Sequence, residues 1–166
     1  MPLVYTKVVI PNWRPFEELG LRYVYFTNDF YKQIELDYPV SIGSYQFGAD
    51  PDEPMTLHLC HVPYFDDLSG PQPWRAGRQQ VLGTSFETFE FHVRDQLHQA
   101  LGATGFDAER DVSAITVNRW AHGYSYSPHL LWEPEYSDEA DKPWVIGRQP
   151  WGQIAIANSD AGASAD

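Results

Sequence analysis

SFETFEFHVRDQLHQAL, residues 85–101, is the stretch whose reading decides the fold. Phe86, Phe89, Val93, Leu97, Ala100 and Leu101 recur at three- and four-residue spacing and fall on one face of a helix. Glu87, Arg94, Asp95 and His98 fall on the other. Thr84 and Glu87 have the spacing of a capping box, and Gly102 follows the last turn as a C-cap does. A long helix with one apolar face needs a layer to lie on, so the spacing predicts a lid on a sheet.

The strands of that sheet lie on both sides of the helix in the chain. Leu3 to Ile10 is β-branched and aromatic, and Pro11 and Pro15 end it before a short helical turn over Phe16 to Leu19, closed by Gly20. Arg22 to Phe26 and Tyr31 to Asp37 read as a hairpin around Thr27, Asn28 and Asp29. Turn formers fill 39–54, Met55 to Val62 returns to strand, and after the polar loop Asp66 to Pro73 a short helix is expected over Arg75 to Leu82. Val112 to Trp120 is a further strand, Pro128 to Glu139 an irregular loop, and Trp144 to Ile146 and Gln153 to Ala157 are expected as short strands. The order implies an α+β fold, a mixed and largely antiparallel sheet covered by one long helix, rather than a doubly wound parallel sheet.

With 166 residues and 43% apolar content, the chain suits a single compact domain. Its formal charge is -12 and it holds only 11 Lys and Arg, so it lacks a basic stripe to neutralise nucleic-acid phosphates or an anionic membrane. A run of about 18 apolar residues is absent, as is a signal-like N-terminus, so the chain is expected to be soluble and untargeted, cytoplasmic or, with a signal upstream, periplasmic. One cysteine, Cys60, in an apolar stretch reads as a packed thiol. Aromatic residues are 15% of the chain and many stand beside Gly or Pro, which suits an aromatic-walled cavity or loop-rich packing.

Chemistry-bearing patterns are sparse. His58 and His61 are three apart in a strand and so point to opposite faces, while His92 and His98 lie six apart on a helix, so neither pair has the geometry of a metal site. GxSxG, GxGxxG and GxxxxGK[ST] are all absent.

Three segments together carry a resemblance. LVYTKVVIPNWRPF from Leu3, VNRWAHGYSYSP from Val117 and GQIAIANSDAGASA from Gly152, with ELDYPVSIGSYQF and DPDEPMTLHL between them, resemble the later half of the flavin-containing amine oxidase superfamily. The likeness is to its bacterial spermidine-dehydrogenase-like branch. It implies that residues 1–150 form a substrate-domain-like α+β region and that 151–166 begin the return to an FAD-binding domain these residues do not contain. Asp160 in the SDAGA turn, with Ala161, would then face the ribityl and pyrophosphate portion of FAD. A helix would follow, at the point where the sequence stops. Gly123 would let the backbone approach the flavin ring.

Trp120, Tyr124 and Tyr126 would offer aromatic faces to an amine substrate, and Lys7 would hold a water against the flavin. The same residues also read as a strand end with core aromatics, a surface lysine and a small-residue tail. The function implied is part of an FAD-dependent polyamine-type dehydrogenase or oxidase that moves hydride from an amine carbon to flavin, inactive alone. Its partners would be the amine and either the absent FAD domain or a second copy meeting it through an exposed apolar seam. The alternative is a noncatalytic acidic interaction module, which could gather polyamines by charge alone.

Overall fold

The computed structural model describes residues 1–69, 72–125 and 134–163. Two compact units divide the chain: Pro2–Ala121, and Met1 with His122–Asp166.

The first unit is built on five strands: β1 (Leu3–Ile10), β2 (Tyr23–Tyr25), β3 (Gln33–Leu36), β4 (Met55–His61) and β5 (Ala114–Trp120). They lie in the order β2-β3-β4-β1-β5, and every neighbouring pair is antiparallel. The sheet is therefore antiparallel throughout rather than mixed. β2 and β3 form the expected hairpin, in the register Tyr23 to Glu35, Val24 to Ile34 and Tyr25 to Gln33.

One face of the sheet is the core. Val4, Thr6, Val8 and Ile10 alternate along β1, Met55, Leu57, Leu59 and His61 along β4, and all are buried. Helix α3 (Phe86–Leu101) lays Phe89, Val93, Leu97 and Leu101 into the same cluster. The long helix thus stands where its spacing put it, with three differences. Its N-cap is Ser85, whose Oγ accepts from the Thr88 N–H at 3.3 Å, while Thr84 Oγ1 donates to Gln80 O. Gly102 stays right-handed and opens a 3-10 turn, so the left-handed residue that ends the run is Gly105, at φ 82°. Phe86, in the first turn, is exposed, whereas Gln96 is buried in its place.

That helix is not the sole cover. Helix α2 (Gln72–Gly83) begins three residues before the expected Arg75, since Pro73 in the first turn costs no backbone bond, and it buries Val81 in the core. Short helices α1 (Arg14–Glu18) and α4 (Ala108–Asp111) add Phe16 and Ala108.

In the second unit, Met1 pairs with Gly123 in both directions, the Gly123 N–H donating to Met1 O at 2.7 Å. Residues 144–146, expected as a strand, belong to helix α5 (Pro143–Gly147): Pro143 presets φ for a first helical turn, and three residues have no partner strand among the described residues. Nor is 153–157 a strand. It contributes one side of an isolated Trp151–Ile154 bridge around Gly152, at φ 62°. Helix α6 (Ser159–Gly162) starts inside the SDAGA segment instead of after it, capped by Asn158 Oδ1 on the Ala161 N–H at 2.8 Å.

Candidate functional site

Strand alternation sends the core residues to one side and a different set to the outer face. Register aligns Tyr23, Glu35, His58 and Lys7 in one row across β2, β3, β4 and β1, and Tyr25, Gln33, Cys60 and Tyr5 in the next. Titratable groups from four strands are thereby gathered on one surface.

Glu35 is the unusual member, only 5% exposed. The Tyr23 hydroxyl donates to it, and that carboxylate's charge is the largest cause pushing the Tyr23 hydroxyl above its ordinary pKa. On its other side is His58, whose pKa is lowered first by burial and then by the charge of Lys7, which together outweigh the pull of Glu35 and Asp37. His58 is therefore neutral at neutral pH, and its buried Nδ1 has no hydrogen-bond partner among the described residues. Its ring leans on Tyr5, with centroids 4.7 Å apart. Lys7 Nζ donates to both oxygens of Asp37, at 3.0 and 2.9 Å. Burial, and after it Glu35, raises the Cys60 pKa, so this thiol stays protonated and is a poor nucleophile. Glu35 is left as a buried carboxylate that no Lys or Arg pairs with among the described residues.

His61 faces the core, opposite to His58 as the spacing required. Its Nδ1 lies 2.6 Å from Phe30 O, so that nitrogen carries the proton. Phe30 is sandwiched between the rings of His61 and His92, each 4.0 Å from it. Among the described residues no cluster of His, Cys, Asp and Glu suits a metal ion.

The residues singled out by resemblance are spread over both units. Lys7 lies in mid-β1 on the outer face, committed to its ion pair with Asp37. Trp120 shares that face but stands opposite Leu3, four residues from Lys7 and roughly 13 Å away at strand spacing. In the second unit, Tyr124 follows buried Gly123 and holds a left-handed backbone at φ 55°. Tyr126 lies outside the described residues. Asp160 and Ala161 line a pocket of about 350 Å³ with Trp144, Ile156 and Asn158. These positions are a poor fit to a dinucleotide as they stand. The amide of Gly123 is spent on Met1, that of Ala161 on Asn158, and Asp160 adds negative charge where phosphate would come.

Glu35 and Tyr23 escape sequence reading because a carboxylate in QIEL looks like any solvent-facing strand position. The signal that finds them is register: once the hairpin is paired onto β4, residue 35 must share a face with His58 and Lys7. Among the described residues no helix is long and apolar enough to cross a membrane. No protein-family model matches this chain, and no curated protein matches it.

Proposed function

We propose that this chain supplies the amine-binding sheet of an FAD-dependent amine dehydrogenase or oxidase of the spermidine-dehydrogenase type. The observation that carries the reading is Glu35, a buried carboxylate bonded to a tyrosine hydroxyl, flanked by a neutral histidine and without a Lys or Arg partner among the described residues. Burying a carboxylate costs several kcal/mol unless a charge answers it, and the one lysine in its row is occupied by Asp37. A ligand ammonium answers it. Tyr23 stands opposite Glu35 with Tyr25 stacked beside it, and Tyr5 leans on His58, which shares the row of Glu35; these are aromatic rings of the kind that favour a cation. The net charge of -12 draws polyamines toward the protein from a distance.

The flavin belongs to the resemblance rather than to the site. With the amides of Gly123 and Ala161 already bonded, FAD would be held by groups outside these residues. The chain's own work is to bind and orient the amine.

Equilibrium dialysis against spermidine tests this. Glu35→Gln is expected to weaken binding at least about tenfold, the worth of one charge-assisted hydrogen bond, while Glu18→Gln, an equal change of charge at an exposed position, leaves it nearly unchanged. Equal weakening by both would refute a site at Glu35 and leave diffuse attraction by an acidic interaction module. Tight FAD binding by these 166 residues alone would contradict the incomplete cradle.

A further inference from the structure

We propose a binding site in the first unit that the amine reading does not touch: a polar pocket at the end of β4 that takes a small neutral polyol, of the kind presented by a single sugar ring. The pocket has a volume of about 300 Å³, at the small end of the range for ligand sites, and is lined by Asn28, Lys32, His61, Tyr64, Asp66 and Gln80. Contacts between three segments assemble it. The Lys32 N–H donates to Cys60 O at 2.8 Å, which brings the loop after β2 beside His61. Gly77 lets α2 close on Pro63, whose Cγ would stand 3.1 Å from a Cβ there, and Gln80 lies about one turn further along that helix.

His61 is the group that calls for a ligand. It is only 5% exposed, stacked on Phe30 and met edge-on by Tyr31 and Phe89, so packing fixes the orientation of its ring. Its Nδ1–H is spent on Phe30 O at 2.6 Å, and burial keeps the ring neutral. Nε2 is therefore a bare lone pair. It has no hydrogen-bond partner among the described residues, yet it is not one of the side-chain atoms sealed from solvent. An occupant of the pocket must offer it a donor. Charges of opposite sign flank that nitrogen: Lys32 Nζ donates once, to Asp29 O at 2.6 Å, and has no ion pair among the described residues, while the Asp66 carboxylate has neither ion pair nor side-chain hydrogen bond among them. A cation meets Lys32 and an anion meets Asp66, so a neutral molecule is the better guest. The side-chain amides of Asn28 and Gln80, also without bonds among the described residues, each donate and accept. A hydroxyl does both as well, so several hydroxyls on one carbon frame match this mixture, and the exposed ring of Tyr64 covers the apolar side of such a frame. No residue of the Glu35 row lines the pocket, so a failure of amine binding there leaves this site standing.

Nitrogen-15 NMR of the imidazoles near neutral pH, with the His61 signals assigned by their loss in His61→Phe, tests the proposal. Glucose, galactose and mannose are the probes, and glucosamine and glucuronate the charged comparisons. At least one neutral sugar is expected to move the His61 Nε2 resonance saturably toward the value of a protonated nitrogen, as a lone pair that gains a donor does. Asp66→Ala and Lys32→Met, both changes at exposed side chains outside the core, are each expected to weaken that sugar about tenfold, the worth of one hydrogen bond to a charged group. No saturable shift with any of the three neutral sugars, a charged sugar binding at least about tenfold tighter than all of them, or a shift that both substitutions leave unchanged would each overturn the assignment.

Discussion

Single side chains in the first unit fix its stability in ways that composition conceals. Gln96 is fully buried, its Nε2 donating to Tyr31 O at 2.9 Å and its Oε1 accepting from the Tyr31 N–H at 2.7 Å. It closes the backbone of a loop residue as a strand neighbour would. Gln96→Leu orphans both groups and is expected to cost roughly 2–5 kcal/mol, read as a lower urea midpoint. Two glycines of α2 should respond with opposite sign. A Cβ at Gly77 would stand 2.7 Å from Pro2 Cγ and 3.1 Å from Pro63 Cγ, rigid ring atoms that cannot swing away. The clash, about 1–3 kcal/mol, outweighs the ~1 kcal/mol that alanine gains in helix propensity, so Gly77→Ala destabilises. At Gly83 nothing lies within 4 Å and φ is ordinary, so Gly83→Ala should stabilise by about 0.5–1 kcal/mol in the same assay. Apolar spacing gave Phe89, Val93 and Leu97 correctly, because burial of those positions follows from helix period alone. It missed Gln96, whose burial is decided by a loop 65 residues away.

Elements with long, regular patterns were readable, and those defined by a partner were not. β1, β4 and α3 carry eight, seven and sixteen residues of consistent alternation or helical period, and each lies within a residue or so of its expected bounds. The misread segments, 144–146 and 153–157, are too short for their own pattern to decide, and in the absence of a neighbouring strand Pro143 and Gly152 set the local geometry. Packing between elements brings a pH dependence. His61 on β4 is shifted below its ordinary 6.5, mainly by burial and less by Lys32 and His92, against the opposing pull of Phe30 O. His92 on α3 is lowered by burial despite Asp95 and Asp29, and His58 is lowered as well. The folded state thus favours neutral rings while the unfolded chain takes up protons near the ordinary value. Stability is complete above that value and falls with pH below it, with the sign that ν of the unfolded state exceeding ν of the native state requires. Urea midpoints should drop from about pH 7.5 to about pH 5.5, and His61→Phe should flatten the slope. A midpoint that rises on acidification would contradict the neutral stack of His61, Phe30 and His92.

At the scale of the molecule, every member of the main hydrophobic cluster lies between Val4 and Val117, wholly inside the first unit. Val145 and Ala161 are the buried apolar side chains of the second unit among the described residues. A polypeptide of residues 1–121 is therefore expected to unfold cooperatively with most of the stability of the longer chain, as followed by circular dichroism in urea. A non-cooperative transition would show that the first unit depends on the second. The α+β class and the helix lid were legible in the sequence, since one apolar helix face and several strand-like runs admit few layer arrangements. The outer-face site was not, because it exists only once four strands are in register. Glu35, with Tyr23 and Tyr25 beside it, is proposed to bind an ammonium. Chemical-shift mapping of the chain with spermidine tests it most directly: perturbations concentrated on Tyr5, Tyr23, Glu35 and His58, and abolished by Glu35→Gln, are predicted. Shifts spread over exposed acidic residues such as Glu18, Glu87 and Glu109, with the outer face of the sheet unmoved, would contradict it.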